Sequence, residues 1–108
     1  MKICTGIDIV DIADFKRSLK NGGQNFLDRL FTPDEQKSTK IEHLAGIFAA
    51  KEAVLKALSF KPGSWQDIEV INESSGRPKA KIKEQLLSYD LSISHSKNMA
   101  IAVFVALK

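Results

Sequence analysis

The sequence predicts an α+β fold, on three observations: a strand pattern opens the chain, helical spacing dominates residues 11–60, and strand patterns fill most of the remainder. Strands and helices that are segregated rather than alternating point to a long buried helix packed on an antiparallel sheet. A length of 108 residues is too short for two ordinary domains, so residues 1–108 are read as one small domain. Such a chain buries roughly two thirds of its unfolded surface, which leaves little margin and makes oligomerisation a reasonable source of more.

Residues 2–10 alternate, with Ile3, Thr5, Ile7 and Ile9 on one side and Cys4, Gly6, Asp8 and Val10 on the other, as in a half-buried strand. Asp8 is therefore expected inside a strand. Asp11 reads as a helix N-cap, followed by Ile12, Phe15 and Leu19 at helical spacing until Asn21-Gly22-Gly23 ends the helix. Phe26–Phe31 forms a short amphipathic turn. Thr32-Pro33-Asp34-Glu35 has cap, proline and capping-box glutamate in order, so a further helix is predicted to start there.

The longest helical stretch runs from Glu42 to Phe60 and ends at Lys61-Pro62-Gly63. Leu44, Ile47, Phe48, Val54, Leu55 and Leu58 share one side. Ala45, Gly46, Ala49, Ala50, Ala53 and Ala57 share the other, small enough for a second backbone to approach, so burial on both sides is expected. Strands are predicted at Asp67–Asn72, Lys79–Lys83, Asp90–Ser96 and Met99–Leu107, with a turn through Ser74-Ser75-Gly76-Arg77-Pro78 and a short helical piece near Gln85. The last two strands read as a hairpin closed by Ser96-Lys97-Asn98. Both faces of the final strand are apolar, suiting one to a helix and the other to a second chain.

Composition excludes several classes. One cysteine cannot form an internal disulfide, and with only His43 and His95 beside it no tetrahedral zinc site can be assembled. No stretch has the apolar length of a signal peptide or of a membrane span, so a cytoplasmic location is expected. The net charge of +3 admits an acidic partner without specifying its kind.

The first chemical candidates are Asp8, a carboxylate within a strand, and Glu52, a carboxylate beside the apolar face of a buried helix. An ionised, dry carboxylate is costly, so each needs a cation, a metal or a water-lined cleft. Two carboxylates with waters and a phosphate would suit magnesium. Glu52 and Lys56 are equally spaced for a solvated i to i+4 pair, which contributes only a few tenths of a kcal/mol. Lys56 is a candidate phosphate ligand, whereas Lys51 suits a snorkelling side chain. His95, in the run Ser92-Ile93-Ser94-His95-Ser96, ends a strand among hydroxyl groups. Lys79, Lys81 and Lys83 line one strand face as a charged edge, and Lys16, Arg17 and Lys20 cluster on the first helix, diluted by Asp11 and Asp14.

Five segments together, Gly6-Ile7-Asp8-Ile9-Val10, residues 48–58 (FAAKEAVLKAL), Gln66-Asp67-Ile68-Glu69-Val70, Ser75-Gly76-Arg77-Pro78 and Ser92–Ser96, resemble the holo-acyl-carrier-protein synthases. These are the small trimeric branch of the 4'-phosphopantetheinyl transferases. The resemblance implies that fold, and transfer of the phosphopantetheine arm of coenzyme A to a serine of apo acyl carrier protein. It implies that Asp8 and Glu52 hold Mg2+, that Lys56 meets the pyrophosphate, and that Gly76, Pro78, Ser94 and His95 line the coenzyme A site. Either Glu52 or Lys56 could take the serine proton. The resemblance also implies a homotrimer with active sites between subunits and a role in fatty acid biosynthesis.

Two positions depart from the family pattern: Ile47 replaces a phosphate-binding arginine, with Lys37 or Lys40 as substitutes, and Asp14 replaces an arginine that faces the carrier. The segments Lys37–Glu42 and Ser59–Trp65 are also shorter than usual. These departures motivate an alternative, a family-fold protein that binds coenzyme A or an acidic carrier without efficient turnover. A nucleic-acid module is disfavoured, because most phenylalanines sit at helical core spacing and no RNP-like aromatic strand occurs.

Overall fold

The computed structural model describes residues 1–108. Its larger sheet is built on the last strand, β5 (Met99–Leu107), which pairs antiparallel with β1 (Ile3–Asp11) on one edge and β4 (Ser88–His95) on the other. A separate hairpin joins β2 (Ile68–Asn72) to β3 (Pro78–Ile82). The helices are α1 (Ile12–Leu30) and α2 (Ile41–Leu58). All five predicted strands form, and α2 packs across β1, β5 and β4 as the predicted buried helix.

Small residues set the closeness of that packing. A Cβ placed on Gly6 would lie 1.8 Å from the Ala53 carbonyl oxygen, so β1 and α2 meet backbone to backbone. Leu44, Ile47, Val54, Leu55 and Leu58 are buried on α2 together with Ala45, Ala49, Ala50, Ala53 and Ala57, which is the double burial expected of this helix. In β5 the alternation resolves the two apolar faces. Ala100, Ala102, Phe104 and Ala106 are buried, whereas Val103 and Val105 stay exposed alongside Ile3, Ile7 and Ile9 of β1.

Two local expectations are corrected and one is met. The first helix breaks at Gly22-Gly23 as expected: Gly23 leaves helical geometry (φ 56, ψ −140), and a second helical stretch then runs to Leu30. Burial of Phe15 against Phe26 and Phe31, with ring centroids 5.7 and 6.2 Å apart, holds the two halves together. The capping box at Thr32 forms, with the Glu35 carboxylate accepting from the Thr32 amide at 2.9 Å, yet only one 3-10 turn (Glu35–Lys37) follows. Glu35 is instead drawn inward, where its other oxygen accepts from the Val70 amide at 2.7 Å. No helical turn forms near Gln85; there the Leu87 amide donates to the Leu107 carbonyl at 2.8 Å and continues the sheet edge.

Candidate active site

The backbone contact at Gly6 brings Asp8, two residues further along β1, against the last turns of α2. Lys56 reaches across this junction: its Nζ donates to Asp8 Oδ1 at 3.0 Å and to the Ile7 carbonyl at 3.0 Å. The ion pair Lys56 makes is therefore with Asp8 and not with its helical neighbour Glu52, so the i to i+4 alternative for Glu52 is set aside. Burial pushes the Glu52 carboxyl above the usual carboxylate range. The neighbouring Asp8 charge adds to that rise, and Lys56 and the adjoining Trp65 indole N–H offset part of it. Asp8, Glu52 and Lys56 thus form one electrostatic cluster from residues up to 48 positions apart.

Nowhere do three His, Cys, Asp or Glu side chains converge into a closed metal site. The Asp8–Glu52 pair nonetheless fits Mg2+, which commonly uses one or two carboxylates and leaves its remaining positions to water and substrate phosphate. Burial is the main cause of the rise at Glu52 and the Asp8 charge adds to it, and a divalent cation held by both would offset each.

A second group lies elsewhere on the chain. Gly76, Pro78 and His95 line a cleft of about 460 Å³ together with Lys40, His43 and Ile47. Its volume suits a ligand of cofactor size. The wall from β3 begins at a tight turn: the Gly76 amide donates to the Glu73 carbonyl at 2.8 Å, and Gly76 has φ +88, with nothing within 4 Å of a hypothetical Cβ. The turn therefore offers bare backbone at the cleft. None of Asp8, Glu52 and Lys56 lines it. Ser94 is also absent from its wall, because it pairs with Ile101 in the register that alternates with Ile93 and His95. Ile47 is buried in this wall, and Lys40 supplies its cation. Lys37 instead pairs with Asp34 at 3.1 Å.

One residue was misread in the sequence and one escaped it. Lys51 does not snorkel. It is fully buried, paired with Glu35 at 2.5 Å, donating to the Leu30 carbonyl at 2.8 Å and lying 5.6 Å from the centroid of the Phe31 ring. Burial lowers its pKa, against the pull of Glu35. Trp65 is the second. The only signal for it is a lone tryptophan just beyond the Pro62-Gly63 turn.

On the first helix the Asp11 side chain caps as expected, accepting from the Asp14 amide at 2.9 Å. Asp14 pairs with Arg17, and Lys16 and Lys20 are the unpaired exposed cations of that cluster.

Comparison with known proteins extends these observations. The family described as the 4'-phosphopantetheinyl transferase superfamily matches residues 4–105. The holo-[acyl-carrier-protein] synthase of Geobacter metallireducens is 42% identical, over 94% of each chain. That of Protochlamydia amoebophila is 40% identical, over 97% of this chain and 98% of its own. Among solved structures, the Helicobacter pylori synthase in complex with coenzyme A superposes with a TM-score of 0.87 at 34% identity, covering 94% of this chain and 98% of that one. The Bacillus anthracis synthase, also in complex with coenzyme A, gives a TM-score of 0.84 at 35% identity over 95% and 94% of the two chains. Sequence and shape agree over nearly the whole length, and the chain belongs to the holo-[acyl-carrier-protein] synthase family of the 4'-phosphopantetheinyl transferase superfamily.

Proposed function

We propose that this protein transfers the 4'-phosphopantetheine group of coenzyme A to a serine of an apo acyl carrier protein, releasing adenosine 3',5'-bisphosphate, with Mg2+ held by Asp8 and Glu52. The observation that carries this reading is the convergence of Asp8, Glu52 and Lys56 at the β1–α2 junction within a family whose relatives are holo-acyl-carrier-protein synthases. When bound there, Mg2+ supplies charge neutralisation for a pyrophosphate and for the phosphate that leaves.

The chain's own groups supply the rest. The Lys56 side chain is half-exposed, so its ammonium can turn from Asp8 to phosphate oxygens as their charge grows. The carrier serine oxygen attacks the phosphorus bearing the pantetheine arm, and the phosphorus–oxygen bond to the adenosine bisphosphate breaks. The serine proton needs an acceptor. Lys56 is engaged as a donor to Asp8 and to the Ile7 carbonyl, which leaves the Glu52 carboxylate as the acceptor. Gly76, Pro78 and His95, with Lys40, form the coenzyme A cleft.

The carboxylate cluster and the cleft occupy different places on one chain, which supports a site completed between copies. The exposed apolar side chains of β1 and β5 share the outer sheet face with Ser94, so they are the surface through which a homotrimer would assemble. In that assembly Ser94 joins the coenzyme A site from the subunit boundary. The exposed Lys16 and Lys20 suit an acidic carrier. The reading places the protein in the cytoplasm, in fatty acid biosynthesis; no helix is long and apolar enough to cross a membrane.

Incubation with coenzyme A, Mg2+ and a panel of apo carriers, followed by intact mass, tests the proposal. The expected result is a carrier heavier by one phosphopantetheine, with Asp8→Ala and Glu52→Ala folded but inactive. Coenzyme A binding without any mass gain across the panel would instead establish the binding-only alternative that Ile47 and Asp14 suggest.

A further inference from the structure

The chain has a single tryptophan, and its indole Nε1 is buried without a hydrogen-bond partner. Buried indole N–H groups ordinarily find an acceptor, so an orphan calls for a reason. This one is held firmly in place. The Trp65 ring packs on Phe48 with centroids 6.2 Å apart, and Phe48 packs on Phe15 at 5.7 Å. The next residue is tied down as well, since the Gln66 side-chain amide donates to the Asp28 carbonyl at 2.7 Å and to the Phe31 carbonyl at 3.0 Å. Phe48 precedes Glu52 by about one turn of α2. The acceptor beside the clamped indole is the Glu52 carboxylate.

We infer that Trp65 is a positioning residue for Glu52: its indole N–H takes one carboxylate oxygen when the other turns to a divalent cation, and so fixes the orientation in which Glu52 is offered. This rests on the reading of Asp8 and Glu52 as the carboxylates that hold Mg2+. A neutral donor suits the task better than a lysine, because it orients the carboxylate without competing for the charge that the cation needs. Lys56 cannot serve, being engaged with Asp8 and the Ile7 carbonyl. Partners of this kind orient ligating side chains at metal sites, and their loss ordinarily costs 10- to 100-fold in affinity.

The single indole makes the test direct. In the nitrogen-15 spectrum of the full chain, the one indole cross-peak is expected to move as Mg2+ alone is added, saturating with the heat measured by calorimetry. Glu52→Gln is expected to abolish that movement. Trp65→Phe keeps an aromatic ring in place and is expected to retain its circular dichroism while binding Mg2+ at least about ten-fold more weakly. A ring that merely packs would leave the cross-peak still and the Trp65→Phe affinity unchanged. Mg2+ binding with an unmoved cross-peak overturns the inference, as does a folded Trp65→Phe with wild-type affinity. Should Trp65→Phe fail to fold, the wild-type and Glu52→Gln spectra decide. Absence of any Mg2+ binding overturns the carboxylate-pair reading and this inference with it.

Discussion

Lys56 makes the same contact in two capacities. Its ammonium neutralises Asp8 at 3.0 Å, in the direction from which a divalent cation would compete, and it is also the cation suited to pyrophosphate. Removing it should therefore shift two affinities in opposite senses. Lys56→Gln is expected to tighten Mg2+ binding to the free protein by about two- to five-fold, since a half-exposed pair is worth at most about 1 kcal/mol, and to weaken coenzyme A binding. Separate calorimetric titrations check this, and weaker Mg2+ binding in the variant would contradict it. The pairing also marks how far single residues were legible. Asp8 stood out because aspartate is rare inside strands. Its partner was not legible, because helical spacing makes Glu52 the nearest carboxylate to Lys56 in sequence, whereas a contact across 48 residues is set by how closely β1 and α2 pack. Ser94 was legible in type but not in direction, although strand alternation already separates it from Ile93 and His95.

At the level of elements, the position of α2 governs the site, and two devices fix it. The first is Gly6, where no side chain fits under the Ala53 carbonyl. Gly6→Ala must drive β1 and α2 apart, and overpacking of this severity costs about 3 kcal/mol or more. Urea unfolding is expected to show that loss, together with loss of transfer, since Asp8 and Lys56 separate with the backbones. The second is the buried Lys51–Glu35 pair, which ties α2 to the connection following α1 and, through the Val70 amide, to β2. Breaking a buried pair by removing one partner leaves an uncompensated charge, so Lys51→Met is expected to cost about 3–5 kcal/mol by denaturant titration. A loss below 1 kcal/mol would show that Glu35 is satisfied without it. Sequence reading recovered the strands and α2 because their periodicity is local. It mistook the Thr32 capping box for a helix start because the competing partners of Glu35, Lys51 and Val70, lie 16 and 35 residues away.

The whole molecule presents a sheet with one face sealed by α2 and the other left apolar. Ile7 is 56% exposed and its cross-strand partner Val103 is 39% exposed, with Ile3, Ile9 and Val105 beside them on the same outer face. Clustered apolar exposure of this kind marks an association surface, and a chain of 108 residues has limited means of covering it alone. The sequence showed that β5 is apolar on both faces; only the pairing register revealed that Ala100, Ala102, Phe104 and Ala106 are the inward set. Asp8 alternates with Ile7 and Ile9 and so faces α2, but β1 is an edge strand of the sheet, so a copy that covers the outer face and wraps this edge would border the carboxylate cluster. Val103→Glu should then act twice. A carboxylate desolvated in an apolar interface opposes assembly, so light scattering is expected to report a single-chain mass in place of the proposed trimer, while circular dichroism stays native because Val103 faces away from α2. Transfer is expected to fall with assembly and to return partially at protein concentrations that restore it. A monomeric Val103→Glu with undiminished transfer would mean that one chain carries a complete site, and that the cleft lined by Gly76 and His95 serves the carboxylates of its own chain.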